Sequence, residues 1–135
     1  MPQAPPLATV QLESREAIEA RLRSLVEETD PGFAREIVEE FRLSAGPMLS
    51  DLREALMRHD ARLAGRLAHT LKSNCATFGL ARLAERLKDL ELECRQAAPH
   101  PTSFGVEGLL AAFKAADAQL EHVAEALLPY PDQPA

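Results

Sequence analysis

The residues best suited to chemistry in this chain are gathered around His69. At about 100° of turn per helical residue, the apolar line Leu63, Leu67, Leu71 and Cys75 points about 180° away from His69. The imidazole is therefore expected in the middle of a solvent face. Spacings of three, four and seven residues set Arg62, Gly65, Arg66, Lys72, Ser73 and Ala76 around it. A neutral imidazole is a good nucleophile near pH 7, because its unperturbed pKa is about 6.5. Histidine is also among the side chains that form covalent intermediates. The cations Arg62, Arg66 and Lys72 would stabilise an anionic group carried on the ring. Gly65, Ser73 and Ala76 are small and leave the ring open to an approaching partner surface. A helix-interior glycine such as Gly65 costs up to about 1 kcal/mol relative to Ala, and close approach by a partner is one reason for it.

No other cluster competes with this one. The chain contains no G-x-x-x-x-G-K-[ST] loop and no glycine-rich lid for a nucleotide, so any phosphoryl group must come from and go to another protein. His59, His100 and His122 do not converge in sequence and are expected on the surface. No H-x-x-x-H or H-E-x-x-H spacing points to zinc, and no cofactor is expected. Glu85, Lys88, Asp89, Glu91 and Glu93 read as a solvated helix face with partners three and four residues apart.

The elements that must hold this face are helical throughout. Apolar periodicity and caps predict helices over 13–29, 31–58, 60–77, 80–96 and 105–128. Ser14 can cap the first. Asp30 can cap the second, with Pro31 at the first helical position, where its missing N–H costs nothing. The second carries the stripe Phe33, Ile37, Phe41, Met48, Leu49, Leu52 and Leu56, interrupted at Gly46-Pro47. The apolar spacing resumes in phase after it, so one bent helix is expected, with two shorter ones as the alternative. Gly79 suits the left-handed position that closes the third helix. Phe78 beside it could belong to the core or to a docking surface. The fourth has Leu83, Leu87, Leu90 and Cys94 at coiled-coil-like spacing, and the fifth turns Val106, Leu109, Leu110, Phe113, Leu120, Val123 and Leu127 inward. Short connections make neighbours antiparallel. The expected fold is all-α, an up-down-up-down four-helix bundle with an additional N-terminal helix. It occupies residues 12–128, between flexible tails at 1–11 and 129–135. The first helix has a narrow apolar stripe, so its packing could leave a groove for a partner helix.

Bulk properties narrow the function further. The net charge of −6 without basic runs argues against nucleic-acid binding, which needs clustered Lys and Arg. No stretch approaches the roughly 18 apolar residues of a membrane span. The N-terminus does not resemble a secretory signal. Cys75 and Cys94 fall at apolar helix positions and read as small buried thiols, which suits a reducing, cytoplasmic setting. A bundle closed within one chain is expected to be a monomer.

The stretch from Ala68 to Leu80, AHTLKSNCATFGL, resembles the signature of histidine-containing phosphotransfer (HPt) domains. That signature reads roughly H-x-L-K-G-S/A, with a glycine ten residues after the histidine. The Asp-Pro start and internal proline of the second helix, and the L-x-x-L-x-x-x-L-x-x-L-E run from Leu80 to Glu91 after the glycine, extend the resemblance over about 13–128. It implies that His69 is the phosphoacceptor, that Lys72 stabilises the phosphoryl group and that Gly79 closes the helix. Arg62, Gly65, Arg66, Ser73, Ala76, Phe78 and Gly79 then form the candidate docking surface. The implied partners are response-regulator receiver domains or a hybrid sensor histidine kinase. The implied role is relay between receiver aspartates without autonomous kinase activity, with Mg²⁺ supplied by the receiver. Ser73 stands where the family usually has glycine; it could hydrogen-bond the ring or the phosphate and narrow the range of partners. The alternative is a docking module of the same shape that binds receivers without accepting phosphate.

Overall fold

The computed structural model describes residues 12–96 and 106–128. Five helices account for almost all of them: α1 (Arg15–Glu28), α2 (Pro31–Met57), α3 (Ala61–Thr77), α4 (Ala81–Arg95) and α5 (Val106–Leu127). Each lies within two residues of its expected bounds, and no strand occurs among the described residues. The tails expected at 1–11 and 129–135, and His100, lie outside the described residues.

The caps explain why the helices begin where they do. The Ser14 hydroxyl accepts from Ala17 N, and the Asp30 and Asp60 carboxylates accept from Phe33 N and Leu63 N. Each satisfies one of the N–H groups that a helix start leaves orphaned. Helix α2 continues through Pro47 as one helix. The carbonyl left without its i+4 partner there belongs to Leu43, which is exposed, so water can take it.

Helix α4 has no capping side chain of its own, since Leu80 occupies the N-cap. Its donors are met from the other end of the chain. The buried carboxylate of Glu13 accepts from Arg82 N at 2.8 Å and Leu83 N at 2.9 Å. Gln119 on α5 holds Glu13 in place, accepting from Glu13 N and donating to Glu13 O, each at 2.9 Å. An acceptor at a helix N-terminus also meets the positive end of the helix dipole. Glu13→Ala is expected to lower stability by about 1–2 kcal/mol in urea unfolding, because it leaves the Leu83 N–H buried and unmet and removes the cap on Arg82 N.

The core runs along α2, α3, α4 and α5. Helix α3 packs on α2 and α4, α5 packs on α2 and α4, and α1 lies across α5 and α2. Phe41 anchors the interior, with ring centroids 4.7 Å from Phe78 and 6.0 Å from Phe113. Alanine has a larger share of this core than the stripes of large residues suggested. On α2 the buried set is Ala34, Arg35, Val38, Phe41, Ala45, Leu49, Leu52 and Ala55, while Phe33 is 49% exposed. Phe33 is thus corrected from core to surface. Arg35 is buried because its guanidinium pairs with Glu39 at 3.0 Å and reaches Leu128 O at 3.4 Å.

Gly79 takes φ +78 in the turn between α3 and α4. A Cβ there would lie 2.5 Å from Ala17 O and 3.0 Å from Ile18 Cα, both backbone atoms of α1. Two constraints therefore coincide, a left-handed backbone and close packing beneath α1. Gly79→Ala is expected to cost at least about 2 kcal/mol, seen as a lowered thermal midpoint. Arg21 fastens the same corner, donating from Nε to Thr77 O at 3.1 Å.

Candidate functional site

The buried line of α3 is Ala64, Ala68, Leu71 and Cys75, and Leu63 and Leu67 flank it half-buried. This line points about 130° from His69 instead of the expected 180°. The difference turns His69 towards α4. Its side chain is 55% exposed, so it stands on the rim of the α3–α4 seam and not in the centre of a bare solvent face.

Across the seam stands Glu91 on α4, which is 5% exposed. Its Oε2 lies 2.9 Å from His69 Nδ1, and its Oε1 accepts from Lys72 Nζ at 2.8 Å. Arg95, one turn later on α4, donates to Oε2 at 2.8 Å. The hydrogen bond from Lys72, aided by His69 and by both their charges, holds the Glu91 carboxyl below its usual value although burial pushes it up. Glu91 is therefore a carboxylate, which can only accept. In the neutral ring the proton must sit on Nδ1, and Nε2 keeps its lone pair.

Glu91 was expected on a solvated face and is instead buried in the seam. The physical reason is its register: it lies four residues after Leu87 and three before Cys94, on the side of α4 that meets α3. A carboxylate beside an otherwise apolar seam was the available signal. Glu85, Lys88 and Asp89 are exposed as expected, and Glu93 is half-buried.

The remaining candidates separate into surface and interior. Arg62, Arg66, Ser73 and Ala76 are exposed on the His69 side of α3. Gly65 is half-buried, and a Cβ on it would lie 3.2 Å from Cys94 Cβ. Its first role is thus to let α3 and α4 approach. The Ser73 hydroxyl donates to His69 O at 3.2 Å, one turn back in its own helix, rather than to the ring. Phe78 is 3% exposed and stacks in the core, and Gly79 is buried beneath α1. Both are corrected from docking surface to structural residues.

Arg62, Gly65, Arg66, His69, Glu91 and Arg95 line a recess of about 670 Å³ between α3 and α4, with Ala61, Thr70 and Cys94 completing its wall. Cys94 and Cys75 are free and buried. Burial, with Glu13 adding, pushes the Cys75 thiol up to about 12. Burial, with Glu93 and Glu91 adding, pushes Cys94 up. Both are thus held towards the neutral thiol. Among the described residues no group of three or more His, Cys, Asp or Glu side chains is placed to hold a metal ion. No helix among them is long and apolar enough to cross a membrane.

Comparison with family models matches residues 36–127, more than half of the chain, to the Hpt domain. Comparison with curated proteins and with solved structures returns no match.

Proposed function

The chain belongs to the Hpt domain family, and from that membership we propose that it is a phosphocarrier which accepts a phosphoryl group on His69. The donor is a receiver-domain aspartyl phosphate and the acceptor is the aspartate of another receiver. The observation that carries this reading is the bond between His69 Nδ1 and the buried Glu91 carboxylate. It selects the tautomer with a free Nε2 lone pair on a half-exposed ring.

In the reaction, Nε2 attacks the phosphorus of the partner's acyl phosphate in line. The bond from phosphorus to the aspartate oxygen breaks, and the carboxylate leaves with the electron pair. The ring keeps its Nδ1 proton and gains positive charge, which the adjacent Glu91 carboxylate stabilises. Lys72 is anchored on Glu91 Oε1 three residues from His69, where its charge favours the transferring group. Lys72, Arg95 and Glu91 together leave one net positive charge beside the ring. Passage to a second receiver reverses these steps. Mg²⁺ is assigned to the receiver side, and no kinase activity is assigned to this chain.

Helices α2 to α5 are read as an up-down-up-down antiparallel bundle spanning, with α1, residues 12–128. The short connections at 58–60 and 78–80 and the neighbour relations of the helices support this. A monomer working in the cytoplasm is the matching physiological form. The test uses receiver domains from the same source, charged with a small phosphodonor and mixed with the chain. Acid-labile, base-stable label appearing on the chain is the expected result. Measurable binding without label would replace this reading with a docking module.

A further inference from the structure

We infer that the exposed face of α3 sets the orientation of the partner, with a carboxylate-rich patch of the partner seated over Arg62 and Arg66. This rests on the phosphocarrier reading and adds the chemistry and polarity of docking. Arg62, Arg66, His69, Ser73 and Ala76 are all exposed on one side of α3. The stripe is graded along its length. Its N-terminal part carries two guanidinium groups, and its C-terminal part carries a hydroxymethyl and a methyl group, with His69 between them.

The two ends ask different things of a partner. Arg62 and Arg66 are one turn apart, so their like charges repel and disfavour the isolated helix. Neither makes an ion pair among the described residues, although acidic side chains outnumber basic ones in the chain, 21 to 15. Arg42 and Arg95, by contrast, are each matched to carboxylates in this fold. Beside Arg62 and Arg66 lies the recess of about 670 Å³, with Gly65 between them and Arg95 on its opposite wall. The recess sets three guanidinium groups against one carboxylate, Glu91, which pairs with Arg95, so the two left over at Arg62 and Arg66 make its mouth complementary to carboxylates. The other end is less charged and less bulky: its one cation, Lys72, is already paired with Glu91, and the Ser73 hydroxyl is turned onto its own backbone. It suits close, uncharged contact. A partner whose aspartyl phosphate lies over His69 is thus held one way round, acidic side towards Arg62.

The experiment measures transfer from phosphoramidate-charged receiver domains of the same source. Wild type is compared with Arg62→Glu/Arg66→Glu and with Ala76→Phe across a range of salt. Both sites are exposed, and retained helicity in circular dichroism controls for folding. The expected result is a wild-type rate that falls steeply with salt, and a double variant about tenfold slower at low salt with a flattened dependence. Ala76→Phe should slow transfer equally at all salt concentrations. Wild-type transfer with the same rate and salt dependence in the double variant would overturn this inference and leave the phosphocarrier reading standing. No transfer to wild type from any receiver would overturn that reading, and this inference with it.

Discussion

His69→Gln is expected to remove phosphotransfer altogether, lowering label to background, a loss of at least about a thousandfold. Glutamine keeps polarity and approximate size but has no nitrogen lone pair with which to attack phosphorus. The fold should not respond, because the side chain is 55% exposed and belongs to the rim of the seam. A stability change within about 0.5 kcal/mol is expected for such a site. Label counting and thermal unfolding on the same preparation separate these effects. Lys72→Ala should be milder, about tenfold to a hundredfold, since it removes a charge near the transferring group and not the nucleophile.

Glu91 substitutions should have the next largest effect. Glu91 accepts from three donors, His69, Lys72 and Arg95. Glu91→Ala releases the ring, so either nitrogen can carry the proton, and removes the charge that stabilises the phosphorylated ring. Glu91→Gln is not a conservative change here. Its amide offers one oxygen, and whichever way it turns, the NH₂ faces a donor. Both variants are expected to lower the transfer rate by about tenfold to a hundredfold with His69 intact. Stability should fall by only about 1 kcal/mol, since Lys72 and Arg95 are 28% and 69% exposed and can turn to water.

The same carboxylate predicts a pH dependence. Its folded-state pKa lies below the usual 4.5, chiefly because Lys72 donates to it. A lowered acid contributes stability that is fully present above the unfolded value and is lost as pH falls through the folded one. Wild type should therefore lose this contribution on acidification below about pH 4.5, and Glu91→Gln should lose less. Urea midpoints of the two proteins between pH 6 and pH 3 give the difference directly.

The helices were legible in the sequence because their caps and breaks are local. Ser14, Asp30, Asp60 and Gly79 act within a few residues of themselves. The surroundings of His69 were legible for a similar reason, since its neighbours on α3 follow from the helical repeat. The exact facing of α3 was not. Reading the core from large residues overlooked Ala64 and Ala68, and with them the turn of His69 towards α4. Glu13 escaped because its partners lie in other elements, and Glu91 because His69 and Lys72, which draw it into the seam, stand on α3. For Glu91 the one local signal is its register between Leu87 and Cys94; nothing near Glu13 marks the carboxylate that will meet the start of α4. The resemblance named the family that the family model also matches, but it did not point to Glu91 beside the imidazole.

The most direct test of the central claim is ³¹P and ¹⁵N NMR of the chain after phosphorylation by a charged receiver. One phosphoramidate is expected, on Nε2 of His69, with Nδ1 still protonated and hydrogen-bonded to Glu91. Phosphate on Nδ1, or on any other residue, would contradict it.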